Sequence, residues 1–223
     1  MKTVLIIGVD QFGSHIAKRM EELYKRDKFN SSETERLVFD RFIERINNIL
    51  PYVTNARIGD STNEEFLRSL GVGNYDVCIV AIGGQFQSSL QTTSLLKELG
   101  AKKVISRATN DVQMKFLLKN GADEVVYPEM QMALRIATKY ASDSILDFIH
   151  LDNNYSIYEL KVPKDWFGKS LSQIDIRKKF KINILTIKRG EEVFIPASDT
   201  VIKTDDIAFV IGEIRDIQKC FRI

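Results

Sequence analysis

Thr3-Val4-Leu5-Ile6-Ile7-Gly8-Val9-Asp10-Gln11-Phe12-Gly13-Ser14 is an apolar run that breaks into a glycine-spaced turn and then into a helical pattern. That order predicts a strand, a tight turn and a helix, the opening of a dinucleotide-binding α/β unit. Gly8 permits the turn, Gly13 lets the helix close against the strand, and the unpaired N–H groups of the helix start would face a phosphate. The middle glycine of G-x-G-x-x-G is absent, and Asp10 stands in its place. Its side chain and charge sit where a pyrophosphate would come close to the backbone. This weakens binding of a phosphate-rich ligand unless a metal or a shift of the ligand offsets it.

Downstream, Ile16, Ala17, Met20 and Leu23 recur at helical spacing, and the polar run from Arg26 to Glu35 predicts a surface loop. Arg36 to Asp40 predicts a second strand ending in an acid. In the dinucleotide pattern such a carboxylate takes the ribose hydroxyls about 20 residues after the glycines. Asp40 lies 27 residues past Gly13, the polar loop accounting for the excess, and its alternative role is to cap the next helix. Val53 to Ile58 is a third strand, followed by Gly59-Asp60-Ser61-Thr62, a run able to cap a helix or to meet an adenine edge. Asp76 to Ile82 is a continuous apolar strand, as in a sheet buried on both faces, and delivers Gly83-Gly84 to the edge that carries the first turn. A helix from Gln85 to Leu99, a strand from Lys103 to Arg107, a helix from Asn110 to Asn120 and a strand from Glu124 to Tyr127 complete six strands alternating with helices. Arg107 at its strand's carboxyl end either neutralises a phosphate or pairs with a neighbouring acid.

Pro128-Glu129 starts a long apolar helix expected to run to about Phe148. Its hydrophobic face exceeds what one domain edge can cover, which points to a crossover or dimer contact. After His150-Leu-Asp-Asn-Asn154 the texture changes to short strands (Tyr155 to Val162, Ile182 to Lys188, Glu192 to Ile195, Ile207 to Ile211) and helices (Ser170 to Phe180, Glu213 to Phe221). The expected fold is α/β: a Rossmann-like doubly wound parallel sheet (1–128), a crossover helix and linker (129–152), and a smaller α+β domain (153–223).

Thirty-two basic and thirty acidic residues are dispersed, so no basic stripe marks a nucleic-acid partner. Cys78 and Cys220 are far apart and form neither a disulfide framework nor a zinc pattern, which fits a cytoplasmic protein. No apolar run approaches the ~20 residues that span a bilayer, so a membrane role must come through a partner. His15 and His150 are the two histidines, and neither has a Ser, Cys or acid in a catalytic arrangement. A nucleotide-type fold without a reaction centre indicates a sensor, the alternative being an NAD(P)-dependent oxidoreductase.

Taken in order, Gly8-Val9-Asp10-Gln11-Phe12-Gly13-Ser14, Phe39-Asp40, Gly59-Asp60-Ser61-Thr62, Val80-Ala81-Ile82-Gly83, Arg107-Ala-Thr-Asn110 and Gly121 to Glu129 resemble the RCK (regulator of K+ conductance), or TrkA-type, proteins over essentially the whole chain. The resemblance implies a cytoplasmic regulatory subunit of Trk or Ktr potassium uptake. Such subunits form homodimers assembled into an octameric gating ring beneath a separate membrane channel or transporter, at the inner face of the membrane. It implies an adenine nucleotide, ATP or ADP in Ktr-like members and NAD(H) in Trk-like ones. The glycine turn (Gly8, Asp10, Gln11, Phe12, Gly13) and Arg107 would face phosphates, Asp40 the ribose, and Asp60 with Ser61 the adenine, and Arg41, Ala81, Ile82 and Gly83 are counted in the same nucleotide site. Glu129 occupies the place where Ktr-like members hold a divalent cation, Mg or Ca, between protomers. Its alternative is an acid favoured by a helix dipole. Ktr-like relatives carry an arginine beside the middle glycine. Here the pair is Asp10-Gln11, which opens the alternatives of a monophosphate or NAD-like ligand, or a scaffold with a non-functional pocket. In the second domain, Leu171, Ile174, Asp175, Ile176, Arg177, Asn183 and Ile184 look like a cyclic di-AMP site. The other reading there is an amphipathic helix followed by a buried strand.

Overall fold

The computed structural model describes residues 3–26, 36–152 and 154–223, so the expected loop lies, beyond Arg26, outside the described residues. Two compact units are present, Met1–Met130 and Gln131–Ile223.

The first unit runs β1 (Val4–Ile7), α1 (Gln11–Arg26), β2 (Arg36–Asp40), α2 (Ile43–Ile49), β3 (Asn55–Ile58), α3 (Glu64–Ser69), β4 (Val77–Val80), α4 (Phe86–Glu98), β5 (Val104–Arg107), α5 (Asp111–Lys119), β6 (Glu124–Val126) and the start of α6 (Pro128–Tyr140). Its six strands are parallel in the order β3-β2-β1-β4-β5-β6. Side chains alternate across each strand. Leu5 and Ile7 therefore join Phe39, Val80 and Leu96 in one core layer, while Val4 and Ile6 join Ala17, Val38 and Ile49 in the other. Burial on both faces is what makes β1 a continuous apolar run. Strand order reverses between β1 and β4, opening a crevice at their carboxyl ends.

Two glycines shape that crevice. Gly8 has φ +89°, and a Cβ on Gly13 would lie 2.1 Å from the Gly8 carbonyl oxygen, so α1 can close on the turn only without a side chain there. The cap of α3 is Asn63, whose side chain accepts the Phe66 N–H at 3.0 Å. Asp60 does not cap α3. It folds the preceding turn by accepting from the Thr62 N–H and hydroxyl at 2.9 and 2.7 Å.

The second unit adds β7 (Ile145–Asp152), β8 (Tyr155–Lys161), α7 (Leu171–Ile174), α8 (Ile176–Phe180), β9 (Asn183–Arg189), β10 (Glu192–Phe194), β11 (Ile207–Glu213) and α9 (Ile214–Phe221). These strands form an antiparallel sheet in the order β10-β9-β11-β8-β7, packed on a core that includes Leu160, Trp166, Ile187, Val210 and Ile217.

Two expectations are corrected here. The helix from Pro128 ends at Tyr140 rather than near Phe148, and 145–152, expected as helix end and linker, form β7. Ser142, Asp143 and Ser144 interrupt the helix because short polar side chains compete for backbone groups, and the Ser144 N–H bonds the Ser142 hydroxyl at 3.3 Å. Phe148 then pairs with Tyr158 across the ladder, their rings stacked at 5.5 Å. Pairing of β7 with β8 shifts register twice, between Ile145 and Asp147 and between His150 and Asp152. The expected single helix from Ser170 to Phe180 is two short ones, broken where Asp175 takes a left-handed conformation (φ 52°).

Asp206 is buried and accepts Arg189 Nε and Nη2 at 2.7 Å each and the Lys203 N–H at 2.8 Å. Burial pushes its carboxyl up, but Arg189 and the Lys203 N–H outweigh burial and hold it below its usual range. A depressed folded value stabilises above the unfolded value and is lost as pH falls through the folded one. Asp206→Ala is expected to lower stability at pH 7 by about 3 kcal/mol, because it leaves a charged partner without its pair. Urea unfolding should show the gap between wild type and variant narrowing as pH drops below about 3.9.

Candidate functional site

A cavity of about 460 Å³ opens at the carboxyl ends of β1, β2 and β4. Among the expected residues, Gly8 and Asp10 from the first turn, Asp40 at the end of β2 and Arg41 after it, Asp60 and Ser61 after β3, and Ala81, Ile82 and Gly83 after β4 all line it. Gln11, Phe12, Gly13, Arg107 and Glu129 stand outside its wall. Phe42, Arg45, Gln85 and Ser88 also line the cavity and carried no periodic or motif signal.

Asp10 is the N-cap of α1. Its Oδ1 accepts the N–H of Phe12 at 3.0 Å and of Gly13 at 3.2 Å, the donors that a phosphate would otherwise meet. Its Oδ2 takes Arg107 Nη1 at 2.9 Å. Arg107 in turn reaches Glu129 through Nη2 at 2.7 Å and lies over the Phe12 ring at 5.2 Å. Its Nε is buried without a hydrogen-bond partner. Gly83 makes room for this pair, since a Cβ there would be 2.6 Å from Arg107 Nη1. Arg107 is thus paired with two acids in this structure. The Asp10 carboxylate thus fills the anion seat of the glycine turn from within the chain.

Asp40 is buried. Its Oδ2 accepts the Val9 N–H at 2.7 Å, its Oδ1 the Phe42 N–H at 2.9 Å, and Arg45 Nη1 is 3.4 Å away. These bonds tie β2 to the first turn. Ser61 is buried and bonds the Thr92 hydroxyl at 2.8 Å. The Asp60 carboxyl is held below its usual range by the Thr62 N–H and hydroxyl, with a smaller pull from Arg41. Glu129 is likewise lowered, by its own backbone N–H and then by Arg107. No group of three or more His, Cys, Asp or Glu able to hold a metal ion occurs among the described residues.

Neither histidine lines the cavity. His150 Nδ1 lies 3.3 Å from the Ser156 hydroxyl, in β7 and β8. Cys78 and Cys220 are buried free thiols pushed up to about 12 by burial. In the second unit, Ile174 and Ile176 belong to the core, whereas Arg177 and Asn183 are exposed and Leu171 and Ile184 half-buried.

An open parallel sheet with a glycine turn and a cavity at its strand-order reversal defines a Rossmann-type nucleotide-binding protein, here followed by a small antiparallel domain. Residues 4–128 match the TrkA-N domain and residues 156–223 the TrkA-C domain. The chain is 39% identical over 219 residues to Ktr system potassium uptake protein C of Bacillus subtilis (strain 168), covering 98% of this chain and 95% of that protein. Ktr system potassium uptake protein A of the same organism is 34% identical over the same shares. The solved GsuK channel bound to NAD superposes with a TM-score of 0.67 at 16% identity, over 98% of this chain and 38% of that one, so this chain spans well under half its length. The chain belongs to the TrkA-type (RCK) family, with an RCK N domain followed by an RCK C domain.

Asp10→Gly is expected to vacate the anion seat and release Arg107. Calorimetric titration should then show ADP, ATP and NAD binding about tenfold tighter or more than to wild type. Loss of the cap should cost about 1 kcal/mol in chemical denaturation.

Proposed function

We propose that this chain is the non-enzymatic, ligand-gated regulatory subunit of a Ktr-type potassium uptake system. It sits at the cytoplasmic face of the membrane, docked on a separate channel or transporter subunit. Kinship to the two Ktr proteins supports the system, and the cavity at the strand ends supports the gating ligand, an adenine nucleotide of the ATP, ADP or NAD(H) class. That cavity is the observation that carries the reading, because its volume and its place at the strand-order reversal suit an adenosine moiety. No described helix is long and apolar enough to cross a membrane, which agrees with a membrane partner on another chain.

Assembly draws on α6, where Met132, Ile136 and Tyr140 are exposed at four-residue spacing along one face. An apolar row of this kind suits a homodimer seam and, by family likeness, an octameric ring. Glu129 at the start of α6 would share a Mg or Ca ion only with help from the nucleotide's phosphates or a partner copy. Cyclic di-AMP is the ligand proposed for the second domain, with Arg177 and Asn183 for its polar groups and Leu171 and Ile184 beside its bases. Ile174, Asp175 and Ile176 shape that surface from the core and the kink. Either ligand would act by favouring one arrangement of the ring, a bias handed on to the membrane subunit. The bonds that Asp10 makes with Arg107 and the helix start favour one other reading, a ring scaffold whose cavity takes no nucleotide.

Thermal unfolding with ATP, ADP, AMP, NAD, NADH and cyclic di-AMP tests this. A true ligand at a hundred times its Kd should stabilise the protein by about 2.7 kcal/mol. Light scattering should show dimers or larger rings. Silence toward every adenine nucleotide would select the scaffold, and a strict monomer that also ignores cyclic di-AMP would overturn the whole assignment.

A further inference from the structure

Arg107 holds its two acids by single bonds. Nη1 donates to Asp10 at 2.9 Å and Nη2 to Glu129 at 2.7 Å, while Nε is buried with no hydrogen-bond partner. Two other arginines of the chain use the edge formed by Nε and Nη2: Arg189 on Asp206, at 2.7 Å through each arm, and Arg135 on Asp147. The two-armed grip is the stronger one, and a buried donor left unpaired costs free energy. The pairing of Arg107 is therefore one that a better acceptor can replace.

Such an acceptor would arrive beside Asp10. Asp10 lines the cavity and Arg107 stands behind it, so close to Gly83 of the wall that a Cβ there would lie 2.6 Å from Nη1. With its other oxygen Asp10 takes the Phe12 and Gly13 N–H groups. Its carboxylate thus makes the contacts, to helix start and cation, that a phosphate would make at this turn. A terminal phosphate brings three oxygens and more charge to the same donors.

Beyond Arg107 lies α6. The boundary between the two units falls inside this helix, after Met130, which places Glu129 in the first unit and Arg135 in the second. Each is bonded within its own unit, Glu129 to Arg107 at the end of β5 and Arg135 to Asp147 in β7. The second of these ties has two arms. The first has one, to an acid whose side chain is half exposed.

We propose that Asp10, Arg107 and Glu129 form a latch on α6 that the phosphate of the nucleotide opens. In the arrangement seen, the latch fixes the first turn of α6 to the strand ends. A phosphate entering the glycine turn displaces Asp10, takes two arms of Arg107 and draws it off Glu129, and the start of α6 is set free. This rests on the reading of the cavity as a nucleotide site and gives that site its output, the helix through which one unit continues into the other. By reciprocity, a chain whose latch is already broken binds the nucleotide more tightly.

Two measurements on the full chain, both with a chelator present to exclude divalent cations, test the latch. Calorimetric titration gives the ADP affinity of wild type and of Glu129→Gln, and amide hydrogen exchange follows peptides covering the glycine turn and residues 132–136. In wild type, saturating ADP is expected to slow exchange at the turn and to speed it about threefold or more at 132–136, where a ligand that only stiffened the protein would slow both. Glu129→Gln should exchange fast at 132–136 without ADP, change no further with it, and bind ADP about threefold tighter. The wild-type exchange pattern carries the test by itself if that variant does not fold. ADP binding that leaves 132–136 unchanged or slower in wild type, or that is equal or weaker in Glu129→Gln, overturns the latch and leaves the nucleotide site standing. Binding by Glu129→Gln alone supports it, as a latch that ADP cannot open in wild type. Silence of both chains toward ADP removes the nucleotide site, and the latch with it.

Discussion

The ion pair between Asp10 and Arg107 is the constraint on which the first domain's chemistry turns. It joins the start of α1 to the end of β5, and through Glu129 to the start of α6. Three segments that meet at the strand ends are thus tied by alternating charges, acid, base, acid. Arg107 is largely shielded from water, its side chain 15% exposed, so the attraction is screened less than a surface pair would be. The same carboxylate closes the end of α1, so one side chain serves helix stability and pocket electrostatics at once.

Around that tie, polar side chains at the cavity are fixed by hydrogen bonds to neighbouring elements. Asp40 anchors β2 to the first turn, and Thr92 of α4 anchors the residue after the β3 turn. Further along α4, the Thr93 hydroxyl lies 2.8 Å from that of Ser106 in β5. Small hydroxyl side chains let α4 approach the sheet closely while their polar atoms bond one another, as burial requires.

Much of the parallel domain was legible in the sequence because strands buried on both faces are continuous apolar runs, and the glycine turn has a spacing that few other structures need. The antiparallel domain was less so. Ile145, Leu146, Phe148 and Ile149 fit a helical period as well as a strand, and only pairing with β8 decides between them. Asp175 gives no local sign of its left-handed turn beyond being an aspartate, a residue that tolerates it. At the site, Asp10 could be read as an anion in the wrong place. That it would find Arg107, 97 residues away, depended on packing no motif encodes. Phe42, Arg45, Gln85 and Ser88 come from loops and first helical turns, where no periodicity exists to reveal them.

The two borders of the antiparallel sheet have a further implication. One border is β10, only three residues long, and the other is β7, whose ladder slips register twice. Short or irregular margins give a visiting strand no continuous row of donors and acceptors to extend. Neither border of this sheet therefore invites another strand to add to it, which guards the chain against open-ended growth strand by strand.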